Sequence, residues 1–275
     1  MKSELYIRFT PLHRFNHFLI IISFFGLVLT GMPLAFKDYA WAHCLYQLMG
    51  GYPIAGYIHR ICAGLTFLAC FLHFAQLSYA VVIKKQLKEL LWGPDSVVPQ
   101  PKDLLDVLGE IIWIIGFGPR PRFERWIWWE KMEYLSLIWG TLVMGLTGFM
   151  LWFPANFSAF LPGWAIDLAL IVHRYEAILA AVFVFTIHFI HTHLLPEKLP
   201  VDEAMFTGRI TEEEMLHERP LYYERLQSEG TLGNFKISPP NPMFSFLSKM
   251  FAVPLLLIGL FLTGLMVSSL ILEFI

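Results

Sequence analysis

Apolar residues along this chain gather into five runs, at about 14–35, 56–82, 132–154, 166–194 and 244–272. Each is long enough to cross a hydrocarbon core, which takes about 20 residues as a helix. The expected fold is therefore all-α: a polytopic membrane protein with a four-span bundle over residues 1–195 and a fifth transmembrane helix within 243–275. A short turn bounded by Pro154 and Pro162 separates the third and fourth runs. Between the second and third lies the loop 83–131, with its own apolar stretch from Val107 to Phe117. Asp103, Asp106 and Glu110 flank that stretch, which predicts a helix lying on the membrane surface. Trp126, Trp128 and Trp129 read as an interfacial belt before the third span. Residues 196–242 are polar and carry several prolines, so they are expected to form a cytoplasmic loop on the inner side, with Glu212, Glu213 and Glu214 as a solvated helix face and His217 as a surface histidine.

Charge gives the orientation. The N-terminus and the 83–131 loop hold Lys2, Arg8, Lys84, Lys85, Lys88, Lys102, Arg120, Arg122, Arg125 and Lys131. The 36–55 loop has only Lys37, and 155–165 has no basic residue, which places the N-terminus inside and the C-terminus outside. Lys2, Arg8 and Arg14 before an apolar run resemble a signal peptide. The run is too long for one and lacks a small-residue cleavage site, so it is expected to be retained. Composition agrees: 56% hydrophobic residues against 15% charged, with a mean hydropathy of +0.57, describe a membrane protein. A net charge of −2 without a basic patch gives no reason to expect nucleic acid. Cys44, Cys62 and Cys70 form no Cys-x-x-Cys, which excludes c-type haem attachment and argues against a zinc or iron–sulfur site on this chain.

The histidines change the picture most. His59-Arg60 is followed by Ala63, Leu65 and then His73-Phe74; His173-Arg174 is followed by Ala177, Leu179 and then His188-Phe189. At about 100° per residue, 14 or 15 steps return a side chain to within roughly 60° of its starting face, about 21–23 Å along the axis. Each helix thus offers two imidazoles on one side, one near each membrane face, which suits two haems stacked through a membrane. On the orientation above, His59 and His173 lie near the outer face, and His17, His73 and His188 towards the inner one. A bis-histidine haem passes electrons and has no open position for oxygen. The plain alternative is a set of interhelical hydrogen bonds in a haem-free membrane anchor. Arg60 and Arg174 would pair with haem propionates, or snorkel to headgroups. Gly26, Gly31, Gly140, Gly145 and Gly148 would admit porphyrin edges, or serve ordinary close packing.

The chain also resembles a known family. Arg14-Phe15-Asn16-His17, Leu29-Thr30-Gly31, Gly56-Tyr57-Ile58-His59, Glu130-Lys131, Thr147-Gly148, Trp152-Phe153-Pro154, Pro162, His173 and His188 occur in the order seen in b-type cytochrome subunits of membrane-bound formate dehydrogenases, nickel–iron hydrogenases and thiosulfate reductases. Phe206-Thr207-Gly208-Arg209-Ile210 and His217-Glu218-Arg219-Pro220-Leu221-Tyr222-Tyr223 look like that family's trailing segment. The resemblance implies a four-helix bundle with two b haems in a bacterial or archaeal cytoplasmic membrane. His59 and His173 would ligate the outer haem, and His17 and His188 the inner one. Electrons would pass between a quinone near the inner face and an outer-side iron–sulfur or multihaem c-type subunit, within a quinone-linked oxidoreductase complex. A haem conduit that never meets quinone is the alternative. Arg14, Asn16 and His191 are the residues to hold a quinone carbonyl. Two features depart from the family. His73 lies outside its pattern, yet the internal repeat makes it the natural partner of His188, so it replaces His17, joins it in a third haem, or stands by as a hydrogen-bonding residue. His13, His191 and His193 would complete an extra site or line a quinone pocket. The fifth span is the other departure; it would dock a partner subunit, with Lys249 as an inner-side anchor.

Overall fold

A computed structural model of the chain describes residues 4–273. Among these, five helices are long and apolar enough to cross a membrane: Pro11–Ala35, Tyr52–Val82, Trp128–Trp152, Trp164–Leu194 and Pro242–Glu273. They match the five apolar runs to within a few residues. Proline opens the first and the fifth, where its missing N–H removes no intrahelical bond. The surface helix is Pro101–Ile114, starting earlier than the apolar stretch alone suggested. Leu104, Leu105, Leu108, Ile111 and Ile112 are exposed along it, the apolar face expected of an interfacial helix.

The chain divides into two compact units. One, the helical unit, comprises Phe15–Leu72, Ile138–Asp202 and Phe246–Ile275. Its core joins Phe25, Val28 and Met32 of the first long helix, Ile178, Ala181 and Phe185 of the fourth, and Leu256, Leu262 and Met266 of the fifth. The fifth helix therefore has packing partners within its own chain. At Gly259 a Cβ would lie 2.8 Å from ring atoms of both Phe185 and Phe189, so glycine is what permits that approach. Further along, the Tyr39 hydroxyl donates to the Ser269 carbonyl (2.7 Å) and the Trp41 indole to the Ser269 hydroxyl (3.1 Å). In lipid, where apolar burial gives helices little reason to associate, such close contacts and hydrogen bonds are what hold them together. The fourth long helix is regular from Trp164 to Phe183 and then widens into π-helical turns at Val184–His188 and Ile190–Leu194.

The other, polar unit comprises Met1–Arg14, His73–Leu137 and Glu203–Ser245. Strand β1 (Leu5–Ile7) pairs antiparallel with β2 (Arg209–Thr211), Tyr6 facing Ile210. Tyr6, Ile210, Met215, Tyr222 and Leu226 form a small core there. Beside it, Glu130 accepts hydrogen bonds from Arg8 (3.2 Å), Arg219 (2.8 Å) and the Ile127 N–H (2.8 Å), and Arg219 also pairs with Glu218. Burial opposes the charge on Arg219, but Glu130 and Glu218 outweigh it and hold its pKa above the usual value. Lys131 binds Asp103 (2.8 Å), whose carboxylate also accepts the Gln100 N–H at the start of the surface helix. Two of the three glutamates expected on a plain solvated face have structural roles. Glu214 and Thr211 cap the helix Glu212–Glu218 reciprocally, and Glu212 accepts the Tyr223 hydroxyl at 2.6 Å. His217 is exposed, as expected. Among the belt tryptophans, Trp126 donates to the Asp95 carbonyl (3.1 Å) and Trp128 to Glu110 (2.5 Å).

Candidate functional site

In the helical unit, the second and fourth long helices bring the His59 and His173 rings to 6.4 Å between centroids, inclined at 60°. Each ring is held in the same way. Thr30 Oγ1 lies 2.9 Å from His59 Nδ1, and Thr147 Oγ1 lies 2.9 Å from His173 Nδ1. Both threonine hydroxyls already donate along their own helices, Thr30 to the Gly26 carbonyl (2.6 Å) and Thr147 to the Val143 carbonyl (2.7 Å). A hydroxyl has one proton, so each oxygen can only accept from the ring and Nδ1 must carry the hydrogen. The remaining lone pair of each neutral ring is then on Nε2, and neither Nε2 has a hydrogen-bond partner among the described residues.

The next residue in each case is glycine. A Cβ at Gly31 would stand 3.3 Å from His59 Cε1, and one at Gly148 would stand 3.3 Å from His173 Cε1. Four of the five glycines singled out earlier separate by role, and Gly140 meets only the Glu176 carboxylate at 3.9 Å. Gly31 and Gly148 make room for the imidazoles, whereas Gly26 and Gly145 make room for Cys62 and Phe67, as ordinary helix packing would.

The arrangement fits a metal held between two imidazoles. An imidazole–metal bond is roughly 2 Å, so two such bonds in line plus the two ring radii span roughly 6 Å, close to the separation found. The described residues contain no cluster of three or more His, Cys, Asp or Glu side chains able to bind an ion by themselves. A group that brings its own further donors would be the kind of ligand that two imidazoles at this separation could hold.

A second histidine group in the same unit is built less regularly. His17 of the first long helix lies within electrostatic range of His188 and His193 of the fourth. The His188 and His193 rings stand 6.2 Å apart at 84°, both within the π-helical turns, a distortion often found at functional positions. The Asp202 N–H donates to His193 Nδ1 at 3.2 Å. That occupies the Nδ1 lone pair, so the neutral His193 ring carries its proton on Nε2 and is a donor, not a ligand. His17 has no such bond to any described residue.

The remaining candidates are dispersed. His73 belongs to the polar unit, where its Nε2 lies 2.6 Å from the Tyr134 hydroxyl. His13 is also there, in electrostatic range of His73 and Arg125. Arg14 is in the polar unit with its guanidinium 5.8 Å from the Phe244 ring, while Asn16 and His191 belong to the helical unit. The Asn16 side-chain carbonyl is buried without a hydrogen bond. Arg60 lies 5.4 Å from the Trp152 ring and is exposed; Arg174 approaches Glu273 at 3.5 Å. Thr30 and Thr147 were not recognised as site residues from the sequence, although the repeated Leu-Thr-Gly at Leu29–Gly31 and Leu146–Gly148 carries the signal.

Fold and site together define an all-α, multi-pass membrane protein with a paired-histidine site between its helices. No family model matches the chain, and no curated protein matches it.

Proposed function

We propose that the chain is a membrane cytochrome b with two bis-histidine haems. The single observation that carries the reading is the His59–His173 pair, with both Nδ1 atoms committed to threonine and both Nε2 lone pairs left over. His59 and His173 would hold one haem, and His17 with His188 the other. Such haems supply one-electron transfer through the membrane. Thr30 and Thr147 hold the first pair of rings in one tautomer, and Gly31 and Gly148 keep their edges clear. Arg60 and Arg174 stand one residue from these ligands, placed to offer guanidinium to carboxylates. With the N-terminus inside, the first pair faces the outer side, towards an iron–sulfur or multihaem partner subunit. The second pair would face the inner side, where Asn16 and His191 of the helical unit would hydrogen-bond a quinone.

One observation favours a second reading. The Thr–His bonds join the first helix to the second and the third to the fourth, as they would in a haem-free anchor whose histidines only bridge helices. A reduced-minus-oxidised absorption spectrum of the purified chain separates the two. The cytochrome gives a b-type α-band and two extractable haems per chain; the anchor gives neither. Reduction of those haems by a quinol analogue, blocked by a quinone-site inhibitor, then distinguishes a quinone-linked cytochrome from a conduit.

A further inference from the structure

We infer that Thr30 and Thr147 are matched positioning residues that fix the tautomer of His59 and His173 and set the redox poise of whatever the two rings ligate. This deepens the haem reading above and rests on it.

The chain builds the same device twice. In each copy a Leu-Thr-Gly on one helix meets a His-Arg on the next. In each copy the threonine hydroxyl donates to the carbonyl four residues back and receives the ring Nδ1–H at 2.9 Å. Two helix pairs with unrelated neighbours arrive at one geometry, so helix packing in general does not account for it.

The chemical consequence follows from the ring. An imidazole that donates through Nδ1–H becomes more electron-rich at Nε2 and a better donor to a metal. It also cannot turn over to present Nδ1. A more electron-rich ligand favours the oxidised metal, so both threonines lower the potential of the centre between them. Removing one hydroxyl is expected to shift the oxidised-to-reduced ratio at fixed potential by about tenfold, or about 59 mV upward for one electron.

The test uses the full chain with Thr30→Val, Thr147→Val, the double variant, and Thr30→Ser and Thr147→Ser. Valine keeps the shape and removes the hydroxyl; serine keeps the hydroxyl. Two measurements are made: the midpoint potential of each b-type signal, and the 15N shifts of selectively labelled histidine in the haem-free chain. The expected result is an Nδ1–H tautomer at both rings and, in each valine variant, its loss together with an upward shift in only one of the two haem potentials. The double variant adds the two shifts, and serine restores both readouts. Loss of haem in the valine variants without recovery in serine is the result of a purely structural role, and it overturns the proposal. So do unchanged tautomers and potentials in valine. A chain that binds no haem while its tautomers follow the threonines supports the tautomer assignment and overturns the haem reading instead.

Discussion

The two histidine groups of the helical unit are built on different principles. His59 and His173 sit on regular helix, each with one threonine partner and one glycine beside it, and the two halves are near copies. His17, His188 and His193 have no such symmetry; the fourth helix leaves α geometry where two of them lie, and a loop N–H from Asp202 reaches back to His193. The first pair needs no local distortion, because the same Thr-Gly arrangement on regular helix recurs beside each ring. In the second group the end of the fourth helix is tied back to its own following loop by the Asp202 N–H, and the helix there runs in π turns, a distortion common at functional positions. The same contrast explains a surplus of imidazoles in the second group: only some can expose a lone pair once their other bonds are made.

The strongest way to sharpen this contrast is to remove ligands one at a time. His59→Ala and His173→Ala are each expected to lower the extracted haem from two per chain to one, with the same band lost in both. His188→Ala should lose the other band. His193→Gln and His73→Phe should keep both, because Asp202 fixes His193 as a donor and Tyr134 occupies His73 Nε2. Loss of a haem in either would place that ring among the ligands and break the distinction drawn here.

A smaller effect is expected at the glycines. Gly148→Ala puts a methyl 3.3 Å from His173 Cε1 and should weaken haem retention about tenfold, the lower end for disturbing a ligand's surroundings. Competition with apomyoglobin measures it. Gly163→Ala meets no atom within 4 Å and should be silent. Smallest for the haem signal is Glu130→Gln in the polar unit. It leaves Arg8 and Arg219 without their shared carboxylate, and breaking such a buried pair costs about 3–5 kcal/mol. Thermal unfolding followed by tryptophan fluorescence should shift downward while the spectrum of the folded chain stays unchanged. An unaltered midpoint would mean that the network contributes little to stability.

Much of this was legible in the residues. Apolar run length located all five long helices, because crossing a bilayer imposes a length that few other constraints mimic. The His-Arg repeat pointed to His59 and His173, whose rings the fold brings to 6.4 Å, whereas the second histidine of the first copy, His73, falls in the other unit. What stayed hidden depends on contacts between segments distant in sequence. Thr30 and Thr147 are ordinary in an apolar helix until a histidine from the next helix is seen beside them. The role of His193 rests on a backbone N–H nine residues away, across the end of a helix whose π turns no periodicity rule anticipates. Glu212 and Glu214 looked like solvated charge because their partners, Tyr223 and Thr211, carry no charge to pair with. The seat of the fifth helix against Phe185 and Phe189 of its own chain, which Gly259 permits, was equally invisible in the sequence.

Quantifying haem per chain in the purified protein, together with the reduced-minus-oxidised spectrum, tests the central claim most directly. Two b-type haems per chain, falling to one in His59→Ala and in His173→Ala, is the predicted result. A folded chain with no α-band and no extractable haem would contradict it, and would leave the two imidazoles as bridges between helices.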